Sequence, residues 1–350
     1  MVEIIRDRIS LGSLKEEWNN LVKIFGFPLL CHEWLASCAE AFYQNSDLRI
    51  VIVRSNGKID AIAPMAVIKI RGVEYLEFLG SSFLYEPCNL IYRNHESLRI
   101  LINQLIKFGR PVCFNRIPYE SPIINMLSDF PKSKGIFIKR TSSGSAFASI
   151  ETSWEENDKN FSSKRRYDFK RKKRIAEKAG NIEFKIFCPP IEELSKHFAT
   201  AFRVESAGWK GRKGSALLLN ERLKNFFEIY SSLTCQEKTL RICFLNINDF
   251  AVAMVIGLEY QNKFWLLKNG YDEKWRECSP GIQLIHETVK YAFNKGLDSY
   301  EFLGSDEPYV RIWAKNNFRK YASIGFYPMN FSGFIGLGID VGNFVYRKLT

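Results

Sequence analysis

The sequence predicts a mixed α/β (α+β) protein with two similar halves, and three features support this fold class. Short apolar runs alternate with segments whose apolar residues have helical spacing. The 350 residues exceed the usual size of one domain. The run LRIVIV at 48–53 has a counterpart in LRICFL at 240–245, and Ala61-Ile62-Ala63 then resembles Ala251-Val252-Ala253. We therefore expect a duplicated domain. The pentapeptide Glu-Phe-Leu-Gly-Ser at 77–81 recurs at 301–305 out of this register, and we interpret that repeat as coincidence.

The first half is predicted to hold a sheet flanked by helices. Asn56-Gly57 between two apolar runs is the strongest short hairpin signal, and Arg71-Gly72 marks a second turn. Strands are predicted at 2–5, 48–53, 59–70, 73–79 and 112–117, and helices at 14–25, 33–43 and 98–108. Residues 136–150, with Ser and Gly in their middle, are expected to cross toward the second half.

A basic segment joins the halves, with nine Lys or Arg residues between Lys164 and Lys178. With Trp154 and Phe161 as apolar anchors, it is predicted to form helix from about 154 to Gly180. Such a segment is either a solvated helix face or a contact for a polyanion or a phosphorylated ligand. Its composition alone leaves both readings open.

The segment 202–217 is a glycine-punctuated loop that carries an acid, an indole and a cation. Glu205, Trp209 and Lys210 stand beside Gly208, Gly211 and Gly214. The loop is either a mobile surface connection or the lining of a pocket. In the second case Glu205, at the end of a helix, points into the site. A helix at 217–231 is expected to follow.

The stretch from Phe264 to Trp313 is predicted to run strand, turn, helix, strand, turn, helix. Ser279-Pro280-Gly281 has the residue types of a helix start, and Gly296 those of its end. Tyr300 to Gly304 is a second strand, and Ser305 to Pro308 is predicted to start another helix. A helix N-terminus between two strands offers free N–H groups to a phosphate; the alternative is an ordinary crossover without a ligand.

Composition excludes several other classes. No apolar run reaches the roughly 18 residues of a membrane span, and the first residues lack the apolar stretch of a signal peptide. The eight cysteines are dispersed, so we expect reduced thiols and no metal site.

A net charge of +12 favours anionic ligands. We find neither a P-loop nor a Ser-His-Asp pattern, and we interpret His286, between apolar helix positions, as a core residue.

The sequence resembles the CelD/BcsL-type acetyltransferases, a branch of the GNAT superfamily linked with cellulose and other exopolysaccharide synthesis. The resemblance covers nearly the whole chain. It rests on a set of motifs along the sequence. They are the region of Trp18, Pro28 and Trp34, the basic segment, ESAGWKG at 205–211 with Gly214-Ser215-Ala216, Tyr271-Asp272, Ser279-Pro280-Gly281, Phe302-Leu303-Gly304, Tyr309 and Trp313. One departure is Tyr309-Val310-Arg311, where members often have Tyr-Lys, so Arg311 is the candidate for the missing cation.

The resemblance implies two tandem GNAT-like domains, each a mixed, mostly antiparallel sheet flanked by helices. Residues 1–150 would form a degenerate N-terminal domain, and residues 151–350 a C-terminal domain that binds acetyl-CoA or another acyl-CoA without a metal. GNAT domains bind acyl-CoA where two parallel strands splay apart, with its pyrophosphate on the turn after the first strand. The residues implied in donor binding are Tyr271, Ser279, Pro280, Gly281, Ile282, Gln283 and Leu284.

Acyl transfer also needs a base for the acceptor and a proton for the thiolate. Glu205 and then Asp272 are the candidates for the base, and Tyr309 resembles the GNAT tyrosine that protonates the thiolate. Trp209, Lys210 and Arg311 are the candidates for acceptor binding.

The implied function is N- or O-acyl transfer to a sugar or amino sugar in cell-surface polysaccharide biosynthesis. The acceptor is expected to be a sugar, a nucleotide sugar or an amine. The protein is expected in the cytoplasm, either free or peripheral to the inner face of the membrane. Two alternatives stay open: a Fem-type aminoacyl-tRNA-dependent transferase, in which the basic segment contacts tRNA, and a non-catalytic scaffold of a polysaccharide-synthesis complex.

Overall fold

The chain forms two compact units in a computed structural model, which describes residues 1–208, Arg212, Gly214 and residues 217–349. The first unit contains Met1–Gly144 and Lys320–Thr350, and the second contains Ser145–Arg319. The sequence predicted a division at residue 150. The structure instead places the C-terminal residues from Lys320 onward in the first unit. The assignment of each half as a GNAT-like domain with those bounds stays a prediction.

Thirteen strands are formed by the described residues. They are β1 Val2–Ile5, β2 Leu48–Ser55, β3 Lys58–Ile70, β4 Val73–Phe78, β5 Ile91–Tyr92, β6 Val112–Pro118, β7 Gly135–Ser149, β8 Ile182–Phe187, β9 Leu240–Ile247, β10 Phe250–Tyr260, β11 Lys263–Tyr271, β12 Ser299–Leu303 and β13 Phe318–Pro328.

The α-helices of the described residues flank these strands. They are α1 Arg8–Gly12, α2 Lys15–Val22, α3 His32–Phe42, α4 Ser81–Leu84, α5 His95–Lys107, α6 Pro122–Ser128, α7 Trp154–Lys159, α8 Ser163–Ala179, α9 Leu194–Ser206, α10 Glu221–Gln236, α11 Pro280–Asn294, α12 Arg311–Ala314 and α13 Phe331–Leu349. Short 3-10 helices lie at Leu217–Leu219 and Glu273–Cys278, among other places.

The two units share one strand topology. In the first, β1, β2, β3 and β4 pair antiparallel in chain order, β6 pairs parallel with β4, and β13 pairs antiparallel with β6. In the second, β8, β9, β10 and β11 pair antiparallel, β12 pairs parallel with β11, and the end of β7 pairs antiparallel with β12. The expected fold class, with mixed and mostly antiparallel sheets flanked by helices, is confirmed.

The last strand of each sheet comes from the other half of the sequence. Residues 146–149 of β7 pair with β12 of the second unit, whereas residues 321–326 of β13 pair with β6 of the first. This exchange explains why the units differ from a simple division at residue 150.

Tight hairpins connect the antiparallel strands. Positive φ angles occur at both central residues of the turns Asn56-Gly57, Arg71-Gly72, Asn248-Asp249 and Gln261-Asn262. Turns of this kind match the right-handed twist of the flanking strands. The Asn-Gly pattern therefore predicted a real hairpin. Its counterpart in the second unit uses Asn248-Asp249, two residue types that tolerate this conformation better than most.

A β-bulge bends β11 near its middle. Gly257 of β10 faces Leu266 while the preceding Ile256 faces Lys268, so Leu267 is an extra residue on β11. A Cβ on Gly257 would lie 2.7 Å from the ring of Phe264 and 2.9 Å from the carbonyl oxygen of Trp265. Glycine is therefore required there. A bulge increases the local twist and turns the strand away from its neighbour.

The core of the second unit lies between this sheet and α11. Leu284, Ile285 and Val289 of α11 are buried against the strands, and the ring of Phe264 stacks on that of Tyr300 with centroids 4.7 Å apart. The helical spacing in α11 was predicted from the sequence, and so was its end at Gly296, which has a φ of +66°.

Three predictions about the helices need correction. The basic segment from about 154 to Gly180 is two helices, α7 and α8, interrupted at residues 160–162. The segment Ser305 to Pro308 starts no helix. The chain turns at 308–310, and α12 covers only Arg311–Ala314 because Lys315, with a φ of +53°, ends it after one turn. The helix expected at 217–231 is a 3-10 turn followed by α10.

Candidate functional site

A gap opens in the second unit between the parallel strands β11 and β12. Their pairing begins at Lys263 with Ser299 and ends at Trp265 with Glu301. Beyond this point β11 continues to Tyr271 along β10 alone. The bulge at Leu267 lies directly after the last parallel pair, so it accounts for the divergence of the strands. A gap of this kind leaves backbone groups of both strands available to a ligand.

The turn that follows β11 presents a helix N-terminus. Ser279 has a φ of +49°, the left-handed region that few non-glycine residues adopt, and Pro280 is the first residue of α11. Among the described residues, no side chain caps this end of the helix. The N–H of Gln283 donates to the carbonyl oxygen of Ser279 at 3.1 Å. The N–H groups of Gly281 and Ile282 have no partner within the helix, and the helix dipole makes this end suitable for an anion.

The equivalent helix start in the first unit is already capped by a side chain. Helix α5 lies between the parallel strands β4 and β6, as α11 lies between β11 and β12. Its N-cap Asn94 accepts a hydrogen bond from the N–H of Ser97 at 2.9 Å and completes a capping box. Since a side chain already occupies this N-terminus, the second unit offers the better anion site.

Tyr271 joins the two sequence motifs that the resemblance singled out. A Cβ on Gly281 would lie 3.1 Å from the ring of Tyr271, so the start of α11 packs against this tyrosine. A Cβ on Gly208 would lie 2.9 Å from the carbonyl oxygen of Tyr271. The ESAG segment at 205–208, where α9 ends, and the Ser-Pro-Gly turn therefore meet at the end of β11. A side chain at position 281 would press on the ring of Tyr271.

The basic helix α8 lies against the same turn. The Nζ of Lys172 donates to the carbonyl oxygen of Glu277 at 2.5 Å. In the other direction, the Nε2 of Gln283 donates to the carbonyl oxygens of Cys278 at 2.6 Å and Lys172 at 3.3 Å. These bonds place a cation beside the helix N-terminus. The Lys172 ammonium opposes the effect of burial, which raises the pKa of the Cys278 thiol. The predicted donor-binding residues Gln283 and Leu284 are themselves buried.

Glu205 lies in the interior, on one face of the end of β11. Its side chain is 2 % exposed, and Oε2 accepts a hydrogen bond from the N–H of Leu217 at 2.9 Å. A Cβ on Gly270 would lie 2.9 Å from the Cα of Glu205, so α9 packs directly on this part of the strand. The carboxylate thus anchors the chain at Leu217, beyond the ESAG segment, beside the end of β11.

Tyr309 lies on the opposite face of the same strand end. Its side chain is hydrogen-bonded to that of Asn269, and its pKa is raised by burial, which this hydrogen bond opposes. Asn269 and Gly270 are adjacent in β11, and adjacent strand residues point to opposite faces. Glu205 and Tyr309 therefore approach the gap from its two sides.

Asp272 and Arg311 have local partners. The carboxylate of Asp272 accepts a hydrogen bond from the N–H of Lys274 at 3.0 Å and caps the 3-10 helix Glu273–Cys278. The exposed guanidinium of Arg311 pairs with both carboxylate oxygens of Asp306, at 2.8 and 2.5 Å. This pairing lowers the pKa of the Asp306 carboxyl. The other predicted acceptor residues, Trp209 and Lys210, lie outside the described residues.

His286 packs in an aromatic cluster on the α8 side of α11. Its ring lies 4.2 Å from that of Phe169 and 5.0 Å from that of Trp154, measured between centroids. Its Nδ1 is buried and has no hydrogen-bond partner within the described part of the chain. Burial, with the charges of Lys290 and Lys173, lowers the pKa of His286 from 6.5 to about 4. The ring is therefore neutral at neutral pH, as a core histidine would be.

Two polar residues near the gap, Asn269 and Glu301, were not predicted from the sequence. Asn269 was not selected, although it is a polar residue in the otherwise apolar end of a predicted strand. Glu301 was set aside with the repeated pentapeptide, yet it is buried at the last parallel pair. Its Oε1 accepts from Ser299 at 2.9 Å and from Arg319 at 2.7 Å. The repeat itself has no topological meaning, because Glu77 lies in β4 and Glu301 in β12, which occupy different places in the two sheets.

Comparison with protein families identifies part of the chain that contains this site. Residues 163–311 match the model of the acetyltransferase (GNAT) domain. This part of the chain, somewhat less than half of it, is therefore similar to a GNAT acetyltransferase domain. The match includes α8, the ESAG segment, β11, the Ser-Pro-Gly turn and Tyr309. Comparison of the whole sequence with curated proteins gives no match.

Solved structures share the fold of nearly the whole chain. L-PGS from Bacillus licheniformis is 14 % identical with a TM-score of 0.57, over 95 % of this chain and 96 % of that one. FemX is 12 % identical with a TM-score of 0.58, over 90 % and 96 %. The C-terminal DUF2156 domain of an Agrobacterium fabrum protein described as a lysylphosphatidylglycerol synthetase is 9 % identical with a TM-score of 0.58, over 95 % and 96 %. At these identities the similarity establishes the fold alone.

Two further kinds of site are absent from the part of the chain that the structure describes. Among the described residues, no three His, Cys, Asp or Glu side chains are grouped so that they could hold a metal ion. Within the same ranges, no helix combines the length and the hydropathy that crossing a bilayer requires.

We predict that His286→Leu makes the protein less sensitive to acid. Because the pKa of His286 is lower in the folded protein, the unfolded chain binds the extra proton between pH 6.5 and about 4. This residue's contribution to stability is therefore complete above pH 6.5 and is lost as the pH falls toward 4. The variant should gain stability over the wild type in that interval, by up to about 3 kcal/mol.

Urea unfolding followed by tryptophan fluorescence, at neutral pH and at about pH 4.5, measures this difference. His95→Leu is the control, since His95 is exposed. An equal loss of stability in wild type and His286→Leu on acidification would contradict the assignment of His286 as a buried neutral residue.

Proposed function

We propose that this GNAT protein is an acyl-CoA-dependent N- or O-acyltransferase of the CelD/BcsL type. It transfers an acetyl or other acyl group to a sugar or amino sugar in cell-surface polysaccharide biosynthesis. It works in the cytoplasm, either free or peripheral to the inner face of the membrane. The donor class is supported by the site geometry and the GNAT match, and the acceptor class by the sequence resemblance.

The observation that carries the donor assignment is the uncapped N-terminus of α11 beside the gap. Its free N–H groups suit the pyrophosphate of acyl-CoA. Lys172, fixed against the same turn, adds a positive charge for the phosphates. The acyl arm then extends toward the gap between β11 and β12, where unpaired strand backbone can hold it.

The reaction joins the acyl carbon to the acceptor and breaks its bond to sulfur. Glu205 accepts the proton that the acceptor nitrogen or oxygen loses, and Asp272 is the second candidate for this role. Tyr309 donates a proton to the CoA thiolate, and its buried phenol, with its raised pKa, is protonated at neutral pH. Glu205 and Tyr309 lie on opposite sides of the gap. The base would therefore act on the acceptor from one side, and the acid would protonate the leaving thiolate from the other.

The second candidate is a Fem-type aminoacyl-tRNA-dependent transferase. The observation that favours it is the position of α8, a helix rich in Lys and Arg that is fixed beside the donor turn. Such a helix suits the phosphates of a nucleic acid as well as those of CoA. The similarity in fold to FemX is compatible with this alternative.

We predict that Gly281→Val weakens acetyl-CoA binding at least tenfold. The new side chain meets the ring of Tyr271, which displaces the tyrosine or the helix start and disturbs the N–H groups that face the pyrophosphate. Isothermal titration calorimetry with acetyl-CoA measures the dissociation constant. Gly12→Val is the matched control, because a Cβ on Gly12 has no heavy atom within 4 Å.

Two outcomes would count against this donor site. Unchanged affinity in a folded Gly281→Val protein would move the donor elsewhere. If the wild type ignores acetyl-CoA but binds an aminoacyl-tRNA with an affinity that falls steeply with salt, the Fem-type candidate replaces the acyl-CoA enzyme.

We predict that Glu205→Gln lowers turnover by about 10²–10⁴-fold, the usual contribution of a general base. The dissociation constant for acetyl-CoA and the thermal stability should change little, because a glutamine oxygen can still accept the hydrogen bond from Leu217. Steady-state kinetics with a panel of amino sugars and nucleotide sugars gives the turnover. Tyr309→Phe should have a smaller effect, since water can protonate a thiolate.

Asp272→Asn is the matched control, because asparagine can still cap the 3-10 helix. If Asp272→Asn loses turnover and Glu205→Gln does not, the order of the two carboxylates is reversed. If both variants keep it, Glu205 serves only to anchor Leu217 and the reaction has no dedicated carboxylate base.

A further inference from the structure

The C-terminal helix α13 of the first unit presents its apolar side outward. Phe331 is 82 % exposed and Phe334 is 52 % exposed. Over residues 331–346 the exposed positions are all uncharged, and most recur at helical spacing. Those at helical spacing are Phe331, Phe334, Ile335, Gly338, Val341, Gly342 and Val345; Phe344 and Tyr346 are exposed as well. A surface helix of a globular protein usually turns such a stripe toward the core. Exposed apolar surface of this extent marks a site of interaction.

The inward side of α13 is built for close contact, which fixes the stripe in its outward position. A Cβ on Gly333 would lie 1.8 Å from the carbonyl oxygen of Pro328, and one on Gly336 would lie 2.7 Å from the ring of Pro111. Tyr75 donates a hydrogen bond to the carbonyl oxygen of Gly336 at 2.9 Å. The single acid of the helix, Asp340, also faces inward and pairs with Arg140 at 2.6 Å. Rotating the helix to bury its apolar side would break all of these contacts.

Basic residues surround the start of this helix. Arg71 and Arg110 line one cavity of 570 Å³ together with Phe331 and Ile335. Lys107 and Lys134 line a second cavity of 570 Å³ together with Met329, which is itself 46 % exposed. Glu74 in the first cavity is paired with Arg110 at 2.7 Å. The aromatic stripe therefore begins between two groups of cations.

We propose that the outward stripe of α13 and these cations form a docking surface for an anionic phospholipid bilayer. A helix that lies in the plane of the interface needs an apolar side with aromatic residues and basic residues near the headgroups. Here the helix supplies the apolar side, and neighbouring loops and the end of α5 supply the cations. A second copy of the chain fits the surface less well, because lysine is depleted at protein interfaces.

This surface belongs to the first unit and is independent of the donor site, which lies in the second. Its occupant is recognised by the negative charge of the lipid headgroups together with the apolar region beneath them. The proposal does not depend on the chemistry of acyl transfer, so a failure of either one leaves the other intact.

The test is co-sedimentation of the full chain with vesicles. We expect binding to vesicles of phosphatidylglycerol mixed with phosphatidylcholine, weaker binding to phosphatidylcholine alone, and release at high salt. Replacing both Phe331 and Phe334 with serine should reduce the partition coefficient at least tenfold. The double control Ile9→Ser with Phe250→Ser changes two other exposed apolar residues, 89 % and 71 % exposed, and should bind as the wild type does.

Lys107→Gln with Lys134→Gln tests the cations separately. Each lysine near a charged bilayer contributes roughly fivefold, so the pair should lose about 25-fold on mixed vesicles and nothing on phosphatidylcholine. Absence of wild-type binding to the mixed vesicles, or equal binding by the Phe331/Phe334 variant, would overturn the proposal. Light scattering decides the competing case: a wild-type dimer that the two serines make monomeric would assign the stripe to a second copy of the chain.

Discussion

The bulge at Leu267 is the constraint on which the candidate site depends. Gly257 permits it, because only a residue without a side chain fits between the ring of Phe264 and the backbone of Trp265. The bulge turns β11 away from β12 directly after their last parallel pair, so the sheet opens at the point where the Ser-Pro-Gly turn begins. A straight β11 would continue the parallel pairing and close the gap. The site is therefore a consequence of one extra strand residue opposite one glycine.

The two units have the same strand order, but only one of them has the features of a donor site. In the second unit, Tyr271 brings the ESAG segment and the start of α11 together, and α8 adds a fixed cation. In the first, Asn94 caps the corresponding helix. We interpret the two units as copies of one duplicated domain. The second unit has the helix start that suits an anion. The first unit adds a second sheet, takes part in the strand exchange and carries the helix α13.

Local signals in the sequence predicted much of the fold and part of the site. The Asn-Gly hairpin, the helix start at Pro280 and its end at Gly296 depend on residues that are neighbours in the chain, so their patterns were sufficient. The exchange of β7 and β13 and the bulge depend on contacts between distant residues, which no local pattern records. Ser305 to Pro308 has the residue types of a helix start, but the chain turns before Arg311 and leaves the helical region again at Lys315, which the residue types did not indicate. Asn269 and Glu301 acquire their meaning only from partners across the fold.

The central claim is that acyl-CoA binds at the N-terminus of α11, and amide hydrogen exchange tests it most directly. Exchange is followed by mass spectrometry with and without saturating acetyl-CoA. The account predicts slower exchange at Gly281 and Ile282, whose N–H groups lack partners within the helix, and little change at the start of α5 in the first unit. Protection confined to α5, or unchanged exchange at Gly281 and Ile282 while acetyl-CoA is bound, would contradict it.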